Sequence, residues 1–214
     1  EEFGFLDSTV ERGAMKTDHI PSPAEVMTQI TQRVERSQIE SVYSDIRLLP
    51  DDTASCYKFL LTKLYAAGCR YVQFDGVHSV IMEDTIRLNN RVLRERPAGM
   101  YVAFHAPTDM LVQLHGADAY FLNYDCGACD RNRLLWFIHE KEAVFGFVLS
   151  HYPQEDELDE LQAKTESVLN YIPLKRFTLC LPDANALLSP SEADEEKQWE
   201  TVRLGMEMAA RIFS

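Results

Sequence analysis

The sequence predicts an α/β fold of parallel strands and crossover helices, a TIM-type (β/α) barrel in incomplete or reduced form. Three observations carry that prediction. Short apolar runs alternate, almost from end to end, with stretches whose apolar residues recur at three- and four-residue spacing. Several of those runs stop at or beside a polar residue, at Asp75, His105, Asp125, His151 and Asp183. About six βα units are visible, two short of a closed eightfold barrel. An apolar run ending in a charged or polar group is how the C-terminal mouth of such a barrel presents its binding groups, so these five residues are expected to face one cleft.

A first strand is expected at about 17–20. Ser22-Pro23-Ala24-Glu25 then reads as an N-cap, a proline at the first helical position and a capping-box acid, opening a helix that runs to about Tyr43. An amphipathic helix over 53–67 leads through Gly68 into Cys69-Arg70-Tyr71-Val72-Gln73-Phe74-Asp75. A helix over 81–96 precedes the strand Tyr101-Val102-Ala103-Phe104-His105. Only a short helix, 109–115, fits before Tyr120-Phe121-Leu122-Asn123-Tyr124-Asp125. Helices over 132–140, 155–171 and 195–212 alternate with apolar runs at 144–151 and 177–183. The acidic stretch 154–160 falls at a helix start, where carboxylates favour the positive end of the dipole, and needs no function.

With 214 residues and 46% hydrophobic content, a single domain spanning 1–214 is expected, and no repeat or proline-rich linker interrupts it. The 21 basic and 34 acidic residues give a net charge of -13, which repels phosphate backbones and anionic membrane surfaces. No apolar run approaches the roughly 18 residues of a membrane span. The N-terminus, Glu1-Glu2-Phe3-Gly4-Phe5, has no basic segment followed by an apolar core. The expectation is a cytoplasmic protein with a small-molecule substrate, no nucleic-acid or membrane partner, and homo-oligomerisation left open. The five cysteines are scattered and odd in number, so reduced thiols are expected. No glycine-rich phosphate loop and no Gly-x-Ser-x-Gly elbow occurs, which disfavours nucleotide cofactors and serine-hydrolase chemistry.

From Ile20-Pro21-Ser22-Pro23 onward, the order of motifs resembles the C-terminal catalytic barrel of cobalamin-independent methionine synthase, above all its single-barrel relatives. The resemblance is carried by Ala67 to Asp75, Leu88-Asn89-Asn90, Phe121-Leu122-Asn123-Tyr124-Asp125, Tyr171-Ile172-Pro173-Leu174, Leu179-Cys180-Leu181-Pro182-Asp183 and Gln198-Trp199. It implies zinc-dependent methyl transfer from a methylated folate to homocysteine, the metal making the thiol nucleophilic as thiolate. It also implies that Asp75 receives the amino group of the amino-acid substrate and that His151 is the catalytic proton donor. Of the family's four zinc ligands, the resemblance keeps His105 as a remnant. Pro107, Asn123 and Ala184 stand where a cysteine, a glutamate and a second cysteine belong. Early strands of the family's pocket have no counterpart before Ile20, which leaves a reduced homologue and strands outside this sequence as alternatives.

Cys126-Gly127-Ala128-Cys129 suggests three readings: two reduced thiols in an exposed loop, a redox pair, or a relocated zinc site with His105. Asp125 and Asp183 are expected to cap helices. His19, His78, His115 and His139 are expected on the surface or on helices, and Trp136 and Trp199 on packed helix faces. Two alternatives to a diverged methyltransferase stand beside it. One is a non-catalytic paralogue binding an amino acid or folate-like ligand. The other is a metal-independent enzyme of the related uroporphyrinogen decarboxylase group, for which the strand ends offer almost no basic residues.

Overall fold

β1 (Thr17–Pro21) is followed by α1 (Pro23–Arg33), α2 (Arg36–Val42), α3 (Leu49–Ala66), β2 (Tyr71–Asp75), α4 (Glu83–Glu95) and β3 (Tyr101–His105). Then come α5 (Thr108–Leu111), β4 (Ala119–Asn123), α6 (Ala128–Lys141), β5 (Val144–Val148), α7 (Leu158–Leu169) and β6 (Phe177–Cys180). The structure is a computed structural model and describes residues 17–150 and 155–180, with Arg203, Glu207 and Ala210 as isolated helical positions beyond them. The strands follow in sequence order in one six-stranded sheet, with β1–β2, β2–β3 and β5–β6 paired in parallel. The α/β class with parallel strands and intervening helices is thus the predicted one. No helix among the described residues is long and apolar enough to cross a membrane.

The chain divides between Tyr120 and Phe121, inside β4, into two compact units. In the first, alternation along the strands separates two faces. Val72, Phe74, Val102 and Phe104 are fully buried, with Phe74 5.4 Å from Phe104 and edge-on to Tyr57 of α3. Tyr71, Gln73 and Asp75, with Tyr101, Ala103 and His105, occupy the other face, where Tyr71 and Tyr101 stack at 5.2 Å. The Tyr57 hydroxyl donates to the Pro21 carbonyl at 2.5 Å, pinning α3 to the end of β1. Asn89 of α4, fully buried, accepts from the Ala24 amide at 3.0 Å. Asn90 donates to the Gln113 carbonyl and accepts from the His115 amide. The Leu88-Asn89-Asn90 motif therefore fastens helices and loops.

Two expectations for this unit need correction. The helix expected to reach Tyr43 breaks at Val34, whose backbone is extended (φ -98°, ψ 129°). No side chain from 31 to 38 is buried, so nothing holds that stretch against a core. The capping box is half formed. Ser22 Oγ accepts from the Glu25 amide at 3.0 Å, but the Ser22 amide donates to the Asp75 carbonyl, and the Glu25 carboxylate accepts from Ser79 and Gln29 instead.

In the second unit Phe145 and Phe147 of β5 pack on Phe177 of β6 at 6.4 and 6.2 Å. Between them Gly146 points the other way, against the ring of Phe121. Leu149, Leu158 and Leu161 form a further buried cluster with Tyr124 and Leu179 against it. Lys164 of α7 lies over the Tyr124 ring at 3.9 Å and donates to the Tyr124 carbonyl. Trp136, expected to pack, is 76% exposed. α6 buries Leu134, Leu135 and Ile138, and at 100° per residue position 136 points away from that stripe.

Candidate functional site

Pro21, Asp75 and His105 share one row at the C-terminal ends of β1, β2 and β3. Backbone bonds fix that row: the Ser22 amide donates to the Asp75 carbonyl at 2.6 Å, and the Gly76 amide to the His105 carbonyl at 2.7 Å. The side chains converge on Asp75. Its Oδ1 accepts from Gln73 Nε2 at 3.0 Å and lies 3.2 Å from His105 Nδ1. Its Oδ2 lies 3.7 Å from Nδ1 of His19. Beside this group, Ser22 Oγ and Ser79 Oγ are 3.3 Å apart, and Ser79 donates to the buried Glu25 carboxylate at 3.2 Å. Gly76 is needed at the turn because a Cβ there would meet Ser22 Oγ at 2.8 Å and Ser79 Oγ at 3.0 Å.

Burial raises the Asp75 carboxyl, but the hydrogen bonds from His105 and Gln73, helped by the charges of His105 and His19, outweigh it. The net effect holds the carboxyl below its ordinary value of 3.8, so Asp75 is a carboxylate at neutral pH. Its side chain is 39% exposed and that of His105 only 9%. The result is an accessible anion backed by a buried imidazole, an arrangement that receives a cationic group and fixes the ring through Nδ1. A depressed folded value means that the carboxylate stabilises the fold above the ordinary value, and the contribution is lost as pH falls through the depressed one. In urea unfolding, the gap in midpoint between wild type and Asp75→Asn is expected in full near pH 6 and should narrow as pH falls below the ordinary value of 3.8. An equal gap across that range would contradict the ionic role.

His19 and Gln73 were not singled out by sequence motifs. His19, expected on the surface or a helix, is exposed, and it sits in β1 with its Nδ1 3.7 Å from Asp75. Period-two spacing carries the missed signal, since Gln73 stands two residues before Asp75 and His19 two before Pro21. His78, His115 and His139 are exposed, in keeping with the surface expectation. Asp125 does not cap α6, whose N-cap is Gly127 without a side-chain bond; it accepts from Ser150 Oγ at 2.8 Å. His151, Asp183, Ala184 and Trp199 lie outside the described residues.

The zinc that the sequence resemblance implies finds a poor donor set. Pro107 offers no donor, and Asn123, exposed at the end of β4, offers a neutral amide. His105 Nδ1 is already engaged by Asp75. Among the described residues no three His, Cys, Asp or Glu side chains group to hold a metal. One imidazole does not meet the roughly four N, S or O donors of a structural or catalytic zinc. Cys126 and Cys129 are both free thiols, Cys126 half-buried and Cys129 exposed in the first turn of α6 and so not in a loop. Burial pushes the Cys126 thiol up; Lys164 and Arg131 pull it back, while Asp130 and Asp125 add to the rise. It stays protonated at neutral pH, the weaker form both as ligand and as nucleophile.

No known family profile matches the chain. It is similar to two curated proteins of Bacillus subtilis (strain 168). The uncharacterized protein YxjG is 23% identical over 255 aligned residues, which cover 100% of this chain and 65% of YxjG. The uncharacterized protein YxjH is 23% identical over 216 residues, covering 81% of this chain and 57% of YxjH. The chain thus spans about two-thirds or less of the length of these relatives.

Proposed function

We propose that the chain is a diverged methionine-synthase-like protein of (β/α)-barrel type that binds an amino acid of the homocysteine or methionine type without the family's metal-activated methyl transfer. One observation carries the reading: an accessible carboxylate, held ionised, ends β2 beside the buried imidazole that ends β3. An amino acid's ammonium group is the natural partner of such a carboxylate. Asp75 would hold it, Gln73 and His105 would hold Asp75, and His151, in the following half of the chain, is the residue proposed to move a proton. Zinc would supply thiol activation in the family, and the positions that should hold it have lost three donors of four in sequence.

Calorimetric titration of the metal-stripped chain with homocysteine and with methionine tests the binding half. Saturable binding of at least one is expected, and binding of neither would remove the site. Incubation with methylated folate, homocysteine and added zinc tests the other half, and no methionine is expected. Turnover by the purified chain would falsify the divergence. Stoichiometric zinc that is lost on His105→Ala or Cys126→Ser would instead place a relocated His-Cys-Cys site in this protein.

A further inference from the structure

Of the aromatic side chains most exposed among the described residues, Phe59 is covered by the chain's own cation, Lys63, at 5.3 Å from the ring. Arg70 lies likewise over Tyr65 at 3.9 Å and Lys141 over Phe137 at 4.2 Å. Trp136 of α6 and Tyr171, just past the end of α7, are 76% and 63% exposed, and no cation of a described residue covers either. Both line a groove of about 530 Å³, within the size range of small-molecule sites.

The polar groups of the groove are unspent as well. Glu140 forms no ion pair or hydrogen bond with a described residue; its charge acts on its neighbour Lys141, whose ammonium lies over the Phe137 ring at 4.2 Å. The side-chain amides of Asn132 and Asn170 likewise form none among the described residues. The basic-capable group in the lining is His139, exposed on α6. Open π faces attract cations through the ring quadrupole. The Glu140 carboxylate beside them adds charge, and a chain of net charge -13 concentrates cations around it.

We propose that this groove binds an alkylammonium ligand, the Trp136 and Tyr171 rings receiving the methylated or protonated nitrogen and Glu140 balancing its charge. The site is independent of Asp75, so it stands or falls apart from the reading above.

Choline and its neutral isostere 3,3-dimethyl-1-butanol, titrated into the full chain at constant ionic strength and constant pH, provide the test. A Trp199→Phe background leaves Trp136 as the fluorescent reporter. Saturable quenching by choline is expected, at least about fivefold tighter than by the alcohol. Glu140→Gln should weaken choline about threefold without changing the alcohol. In a chain with native tryptophans, Trp136→Ala should abolish the choline heat in calorimetry; Trp136 is solvent-exposed, so this variant is expected to fold. Equal binding of the two ligands, no saturable response to choline, or full choline binding by Trp136→Ala would overturn the proposal.

Discussion

Asp75→Asn is expected to weaken homocysteine or methionine binding by roughly 30-fold, the low end of what removal of one partner from a close charge pair costs. The low end applies because the Asp75 side chain is 39% exposed and water shares its charge. Asparagine preserves the shape and can still accept from Gln73 and His105, so the fold should tolerate it. What it removes is the charge that an ammonium group needs. A ligand of the same length lacking the amino group separates this from a general disturbance of the mouth: it should bind wild type and Asp75→Asn alike. His105→Ala should cost less, about threefold to tenfold, because the imidazole acts by holding Asp75 and not by meeting the ammonium. Undiminished amino-acid affinity in Asp75→Asn would mean that the amino group is received elsewhere.

The architecture was largely legible because it rests on period and punctuation. The runs ending at Asp75 and His105 became strands ending in the same register row, since continuous apolar runs bounded by helices have few other ways to bury both faces. Ser22 capped its helix as its residue type requires. Boundaries failed where the deciding force is tertiary. The break at Val34 follows from the absence of a surface to pack on, which the local pattern of Ile30 and Ile39 does not reveal. Trp136 misled for the opposite reason, because a large apolar residue on a helix was read by its type and not by its angle from Leu134, Leu135 and Ile138. In the candidate site, Asp75 and His105 stood out as strand ends, whereas His19 comes from β1, 56 residues before Asp75, and only strand register brings it there, and Gln73 is a mid-strand residue that period-two alternation puts on the face of Asp75.

Gly146→Ala tests the packing of the second unit at a tight point and should produce the largest loss of stability of any glycine-to-alanine change among the described residues. A Cβ at 146 would lie 2.3 Å from Phe121 Cδ1 and 2.5 Å from Cε1, far inside van der Waals contact. The Phe121 ring is 1% exposed, so it has no open space to swing into. Overpacking of that kind costs about 3 kcal/mol, offset by roughly 0.5–1 kcal/mol from the reduced freedom of the unfolded chain. The net loss of about 2 kcal/mol should lower Tm by roughly 4–8 °C for a chain of this size. Phe121→Leu alone should also destabilise, by roughly 1–2 kcal/mol, through the space it leaves. Combined with Gly146→Ala it should cost clearly less than the two losses added, because each substitution relieves the fault of the other. Strict additivity in that cycle, or a Gly146→Ala chain as stable as wild type, would show that the β5 backbone is not held against the Phe121 ring and that a side chain at 146 finds room there.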